Sequence, residues 1–317
     1  MIKKYSQFII YLFTILIFMT TYAQEKPTEF PLLKGSYLGK KPPGLIPEKF
    51  PFDFLPGNYA HHSAPVFTPD GQEVYFSGMD FSMKFSEKIF VMKMIDGQWT
   101  PPQIASFSGE YFDGSPCIAP DGKRLYYSSA RQFYNNARNE DGDRNIWYVE
   151  KTEDGWSNPK PANFNTPKWE NGSDISKKGN LFYESGGDIY SVKVYPDGFS
   201  QPEKLSDAIN SEYTELHPCI SPDESFIIFY SSRPGVFGER GGDLYISFKK
   251  DNGSWEQAQN LGENFNKGTL STSFPRLSPE GKYLFFLKLV AVPWRAEVYW
   301  VDVKIIHELK RTHIKLK

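Results

Sequence analysis

The chain has 317 residues, 39% of them hydrophobic and 23% charged, with a formal net charge of −2. That length can bury one large core, and so small a net charge leaves no basic footprint for nucleic acid. Twenty-six Phe and 19 Tyr stand beside 25 Gly and 24 Pro, a composition of aromatic strands and tight turns rather than long helices.

At the N-terminus, Lys3 and Lys4 precede an apolar run from Phe8 to Met19, and Thr21-Tyr22-Ala23 ends in a small residue before Gln24. This is the layout of a cleavable signal peptide. The apolar run is too short to span a bilayer, which takes ~20 residues. Residues 1–23 are therefore expected to be removed on export, leaving a periplasmic or secreted chain with no membrane span. Residues 24–43 read as an extended segment, 44–305 as the folded domain and 306–317 as a C-terminal tail.

From Ser63 onward one string returns five times: "SAPVFTPDGQEVYFSG", "GSPCIAPDGKRLYYSS", "GSDISKKGNLFYESG", "HPCISPDESFIIFYSS" and "SFPRLSPEGKYLFFLK". Its turn position falls at Pro69, Pro120, Lys177, Pro222 and Pro279, steps of 45 to 57 residues. In each copy a short apolar strand meets a PDG-like turn, whose Gly suits the positive backbone angle of a tight hairpin. An aromatic strand returns, and after a variable loop comes a third strand: "KIFVMKM", "NIWYVEK", "DIYSVKV", "DLYISFK" and "EVYWVDV". A Gly-aromatic turn and a proline-bearing edge strand, as in "PPQIASF" and "QPEKLSD", complete the set.

Four antiparallel strands every ~50 residues is the spacing of a β-propeller blade. The fifth copy lacks a fourth strand, and "PEKF" at Pro47 matches the "PEKL" of the third copy's edge strand at Pro202. The predicted fold is thus all-β: one propeller of five four-stranded blades, with the N-terminal segment closing the last blade. Six blades, the extra one drawn from residues 25–57, is the alternative.

The SPDG turns with "LYYSS" and "IWYVEK" resemble the WD40-like repeats of the TolB-type β-propeller family, over residues 35–305. The "YLGKKPPG" opening at Tyr37 is similar to that of exported bacterial proteins of this type. The resemblance implies a periplasmic or secreted binding platform and no particular reaction. Family members usually carry six blades and a further N-terminal domain, for which this chain has no room. The third copy departs from the pattern, with Ser176-Lys177-Lys178-Gly179 in place of SPDG.

In a propeller the PDG turns lie on one face, while the blade-to-blade crossings and the loops between second and third strands lie on the other. Asp70, Asp121 and Asp223 read as turn formers, so function is sought on the crossing face. His62, Asp113, Glu170, Glu215 and Thr272 hold one register there, three residues before a shared position, and are expected to ring the channel mouth. Such a ring could hold a cation or accept hydrogen bonds from sugar hydroxyls or a peptide amine; its carboxylates could equally cap backbone amides at the crossings. The blade 2 and blade 4 loops bring Arg131, Phe133, Tyr134, Arg138, Arg144, Arg233 and Arg240, and blade 5 adds Trp294 and Arg295. Arginine forks suit carboxylates, and aromatic faces suit sugars and apolar side chains.

The ligand-binding set read from the sequence is therefore His62, Asp113, Glu170, Glu215, Arg131, Arg233, Arg295 and Trp294. No GxSxG, HExxH or CxxC motif occurs, "NEDGDRN" lacks the EF-hand pattern, and no cofactor or metal is called for. Cys117 and Cys219 hold equivalent positions two blades apart, beyond the ~7 Å limit for a disulfide, and are expected to be free, buried thiols. The function expected is non-catalytic binding of a glycan, peptide or envelope protein. A carbohydrate-active hydrolase or lyase using channel carboxylates is the alternative.

Overall fold

Each turn reverses an aromatic strand onto its neighbour, and a computed structural model shows the outcome to be a propeller of five antiparallel sheets. It describes residues 30–82, 86–132, 144–234, 237–238, 241–291 and 295–315; residues 1–23 lie outside these. In blade 2 the strands run Asp113–Ile118, Arg124–Ser129 and Asn145–Thr152, with Gly155–Trp156 and Lys160–Pro161 sharing the outer edge. Blade 3 repeats this with Glu170–Ile175, Asn180–Ser185, Asp188–Tyr195, Gly198–Phe199 and Glu203–Lys204. Blade 4 comprises Glu215–Ile220, Phe226–Ser231, Asp243–Phe248 and Gln259–Asn260. In blade 1 the inner strand is broken into Tyr59–His61 and Val66–Phe67, both on Glu73–Asp80, followed by Ser86–Ile95 and its edge pieces.

Blade 5 supplies Ser271–Leu277, Tyr283–Ala291 and Arg295–Asp302 from the chain's end, and Glu48–Lys49 from its beginning as the outermost strand. Glu48 pairs with Trp300 and Lys49 with Tyr299, just as Glu203 pairs with Ser191 and Lys204 with Tyr190 in blade 3. The two Glu-Lys pairs occupy matching edges, so the ring of five closes as the sequence predicts, without a sixth blade.

Apolar side chains fill the spaces between neighbouring blades. Tyr75, Ile89, Phe107, Leu125 and Tyr127 join blades 1 and 2, and Phe182, Ile189, Ile227 and Phe229 join blades 3 and 4. Burying each such large side chain stabilises by about 1.5–3 kcal/mol. The segment past residue 305 is more than a tail: a helix (Lys304–Lys315) sets Ile306 and Leu309 against the cluster shared by blades 4 and 5. No helix among the described residues is long and apolar enough to cross a membrane.

The turn glycines Gly71, Gly122, Gly179 and Gly281 have φ between 68° and 76°, the left-handed region that favours Gly. Blade 4 puts Glu224 there, at φ 61°. Its carboxylate accepts hydrogen bonds from Ser176 Oγ (2.7 Å), Asn180 Nδ2 (2.6 Å) and Lys249 Nζ (3.0 Å), tying the blade 4 turn to blade 3 and offsetting the strained backbone.

Phe50, fully buried beside the closing strand, packs on Trp300 at 4.9 Å and Phe285 at 5.3 Å between ring centroids. Phe50→Ala is expected to cost about 3–5 kcal/mol in denaturant-induced unfolding. A loss below about 1 kcal/mol would mean that the closure does not hold the blade.

Candidate binding site

The three acidic members of the sequence-derived ring are fully buried, and each holds the crossing that leads into its own blade. Asp113 accepts hydrogen bonds from Ser108 Oγ (3.0 Å) and Ser129 Oγ (2.6 Å), and Arg131 closes on it at 2.6 Å. Glu170 takes Thr166 Oγ1 (2.5 Å), Asn145 Nδ2 (2.5 Å) and Ser185 Oγ (3.2 Å). Glu215 takes Ser211 N (2.9 Å), Ser211 Oγ (2.7 Å) and Ser231 Oγ (2.9 Å). In blade 5 Thr272 holds the same position, its Oγ1 within 3.4 Å of Thr269 Oγ1.

The arginines belong to the same devices. Arg131 also donates to Phe107 O, and Arg233 to Ile209 O and to Ser211 Oγ. In blades 2 and 4, then, a carboxylate heading the inner strand, a serine ending the second strand and an arginine two residues later lock the crossing. Burial pushes Asp113 and Glu170 above the usual carboxylate range, against the pull of Arg131 and of Thr166 respectively. Capping of the crossings is thus what these groups do, and they do not form a ring of free carboxylates.

His62 faces inward instead. Its Nδ1 hydrogen-bonds to Glu87 Oε1 at 2.7 Å, and Arg144 Nη1 lies 2.7 Å from Glu87 Oε2. Glu87 is fully buried and reaches from the third strand of blade 1 against Gly114 of blade 2, where a Cβ would come within 2.3 Å of its Oε1. Gly114 leaves the space that admits this carboxylate. Burial works to raise the Glu87 pKa, but His62 and Arg144 more than offset it and hold the group below the usual range.

Two residues further along each inner strand, blades 2 to 5 share an irregularity of register, with Ser115, Gly172, His217 and Phe274 at φ between 50° and 52°. A bulge of this kind re-aims side chains. Here His217 and Phe274 stack face to face with centroids 3.6 Å apart, and His62 meets Phe274 at 5.3 Å. A Cβ on Gly172 would come within 3.2 Å of His217. Contact therefore runs Gly172, His217, Phe274, His62, Glu87, Gly114 through all five blades, and the axis is filled at this height.

Glu184 stands in the same group and accepts a hydrogen bond from His217 N at 2.5 Å. Burial pushes it up to about 8, with the His217 amide and Arg276 opposing. Burial drives the His217 imidazole well below its ordinary value, and the nearby positive charge of Arg276 adds to the effect.

Among the described members of the sequence-derived set Arg295 is the exposed one, bonded to Glu297 at 3.3 Å. Trp294, with Phe133, Tyr134, Arg138 and Arg240, lies outside the described residues. Sequence reasoning passed over three aromatics in the crossings and the blade 4 loop: Tyr111, 44% exposed, Tyr213, 40%, and Phe237, 37%. Arg131 lies over the Tyr111 ring at 4.8 Å, which ties this outer aromatic to the Asp113 clamp.

On the opposite, PDG-turn face, a bowl of about 510 Å³ is rimmed by Tyr37, Pro69, Pro120, Lys177, Pro279 and Glu280. Tyr37 donates to Glu280 at 2.7 Å and packs edge-on against Phe67. Below it, sharing the prolines and Lys177, is an axial cavity of about 70 Å³ lined by Cys117, Asp174, Ile220 and Arg276. Cys117 and Cys219 are buried and free. Among the described residues no three His, Cys, Asp or Glu side chains stand together as a metal site.

No family model and no curated protein matches this chain. Among solved structures, it is similar to "putative TolB" from Agrobacterium tumefaciens at 20% identity, TM-score 0.47 and 76% of each chain. It is similar to TolB from Acinetobacter baumannii at 16% identity and TM-score 0.48, covering 78% of this chain and 58% of that one. An oligogalacturonate lyase in complex with manganese aligns at 13% identity and TM-score 0.43, over 78% and 66%. The fold of this chain stands on its own strand pairings: it is a five-bladed β-propeller.

Two outcomes follow. Glu215→Ala should destabilise the protein by about 3 kcal/mol in denaturant melts, because it strands a partly buried guanidinium and two hydroxyls; an unchanged midpoint would remove the bracing role. Glu184 ionises at its ordinary 4.5 when unfolded and near 8 when folded. The native state thus keeps a proton that the unfolded chain has released, and stability falls as pH rises through that window. His217 acts oppositely, costing stability as pH drops below 6.5. Glu184→Gln should flatten the decline that runs from pH 4.5 to about 8 and leave the one due to His217; an unaltered slope in that window would assign it to another group.

Proposed function

We propose that the protein is a non-catalytic, exported binding module that holds a glycan, peptide or protein partner against its crossing face. The observation that carries this reading is the exposure of Tyr111, Tyr213 and Phe237 in the crossings and loop of that one face. Exposed aromatic rings offer flat contact area for sugar rings and apolar side chains at little entropic cost. In this reading Asp113, Glu170, Glu215, Arg131 and Arg233 keep the face rigid, while Arg295 and Trp294 join the aromatics in contact. His62 belongs to the filled axis. Export rests on the pattern of Lys3, Lys4, Phe8 to Met19 and Ala23.

Hydrolysis or elimination by channel carboxylates is the less favoured reading. Glu87 and Glu184 have ionisations pushed apart, as an acid and a base require. Neither has any exposed surface through which to meet a substrate.

Tyr111→Ala combined with Tyr213→Ala should lower the melting temperature by no more than the few degrees that loss of the Arg131 contact allows, and reduce capture on glycan and peptide arrays and from envelope extracts by tenfold or more. Capture equal to that of the wild type would refute the reading.

A further inference from the structure

The five inner strands carry one repeat, and its departures converge. Where blades 1, 2 and 4 place Val66, Cys117 and Cys219, blade 3 has Asp174 and blade 5 has Arg276. Where four blades have Pro69, Pro120, Pro222 and Pro279, blade 3 has Lys177. All three exceptions line the axial cavity of about 70 Å³ beneath the bowl of the PDG-turn face. Charge at a position that Val and Cys fill in the other blades is not accounted for by packing, least of all the buried guanidinium of Arg276.

Arg276 is only 3% exposed. Its Nη1 donates to Pro218 O (3.1 Å) and Pro275 O (3.0 Å), while Nε and Nη2 have no hydrogen-bond partner among the described residues. Nε–H and the outer Nη–H of a guanidinium point the same way and form the edge that matches the two oxygens of a carboxylate. Asp174 does not fill this role. Its Oδ1 takes Ile175 N (3.0 Å) and Cys117 Sγ (3.6 Å), and its Oδ2 takes Ile220 N (2.8 Å), which leaves it turned to the wall. Lys177, exposed and bonded through its own amide to Pro222 O at 3.0 Å, lines both the bowl and the cavity and is the cationic residue shared by the two.

We propose that the axial cavity is a binding site for a small monocarboxylate, entered from the PDG-turn face past Lys177 and held by the Nε–Nη2 edge of Arg276. The site is independent of the aromatic face described above. A cavity of this size holds a few waters or one short carboxylate and no more. The ligand class is therefore formate, acetate or propionate, and branched acids are excluded by the walls of Cys117, Ile118, Ile220 and Leu277.

The test is calorimetric titration and thermal melting of the full chain with sodium formate, acetate and pivalate against sodium chloride at matched ionic strength. Saturable binding of formate and acetate, with a rise in melting temperature absent in chloride, is expected. Arg276→Lys, which keeps the charge and loses the fork, should weaken acetate at least tenfold. Lys177→Gln should weaken it about threefold. No difference between acetate and chloride would overturn the site, as would equal binding by Arg276→Lys. Should Arg276→Lys fail to fold, Lys177→Gln and the size series decide: full-strength binding by Lys177→Gln, or pivalate binding as well as acetate, overturns the proposal.

Discussion

The last blade of a ring lacks its outermost strand unless another part of the chain supplies one, and here two residues, Glu48 and Lys49, do so. Every other blade is contiguous in sequence and could form from local pairing. Blade 5 alone joins strands some 250 residues apart (Glu48 to Trp300), the kind of long-range closure whose entropy is recovered only when the contact is well packed. Phe50, Phe52, Phe285 and Trp300 supply that packing. Through this closure the inner strands hold a common register, and the crossings and axis inherit their geometry from it.

On that frame the protein uses buried charge in two ways. At the crossings of blades 2 and 4, a carboxylate, a hydroxyl and a guanidinium satisfy one another and fasten blade to blade. Along the axis the charges differ from blade to blade: Glu87 with His62 and Arg144, Glu184 on the His217 amide, Asp174 on two backbone amides, and Arg276 with one edge unpaired. The first use repeats because it is architectural. The second breaks the repeat, and there the two ends of the axis differ, one filled by stacked rings and the other opening into a bowl.

The fold was legible in the sequence because it is periodic. Five turns in register and the match of "PEKF" to "PEKL" gave both the blade count and the closure. The site was less so. Asp113, Glu170 and Glu215 each head an inner strand, as their alignment has them, but that position does not give direction. The bulge two residues later, at Ser115, Gly172 and His217, decides which residues meet the axis, and it leaves no mark in composition. A signal was nonetheless present, since a Ser or Thr stands four or five residues ahead of each carboxylate, at Ser108, Thr166 and Ser211, as a capping partner would. Asp174, Lys177 and Arg276 were also readable as departures from a repeat whose regular positions drew the attention.

The two thiols on the axis carry a chemical consequence. Burial drives both Cys117 and Cys219 well above the ordinary thiol range, with Asp174 adding to the effect, and Cys117 donates its proton to that carboxylate at 3.6 Å. Oxidation and alkylation proceed through the thiolate, which burial and the neighbouring Asp174 disfavour at both sulfurs. Both thiols are therefore slow to oxidise or alkylate in the closed ring, and Cys117, which lines the axial cavity, is the one a small reagent can reach without the blades separating.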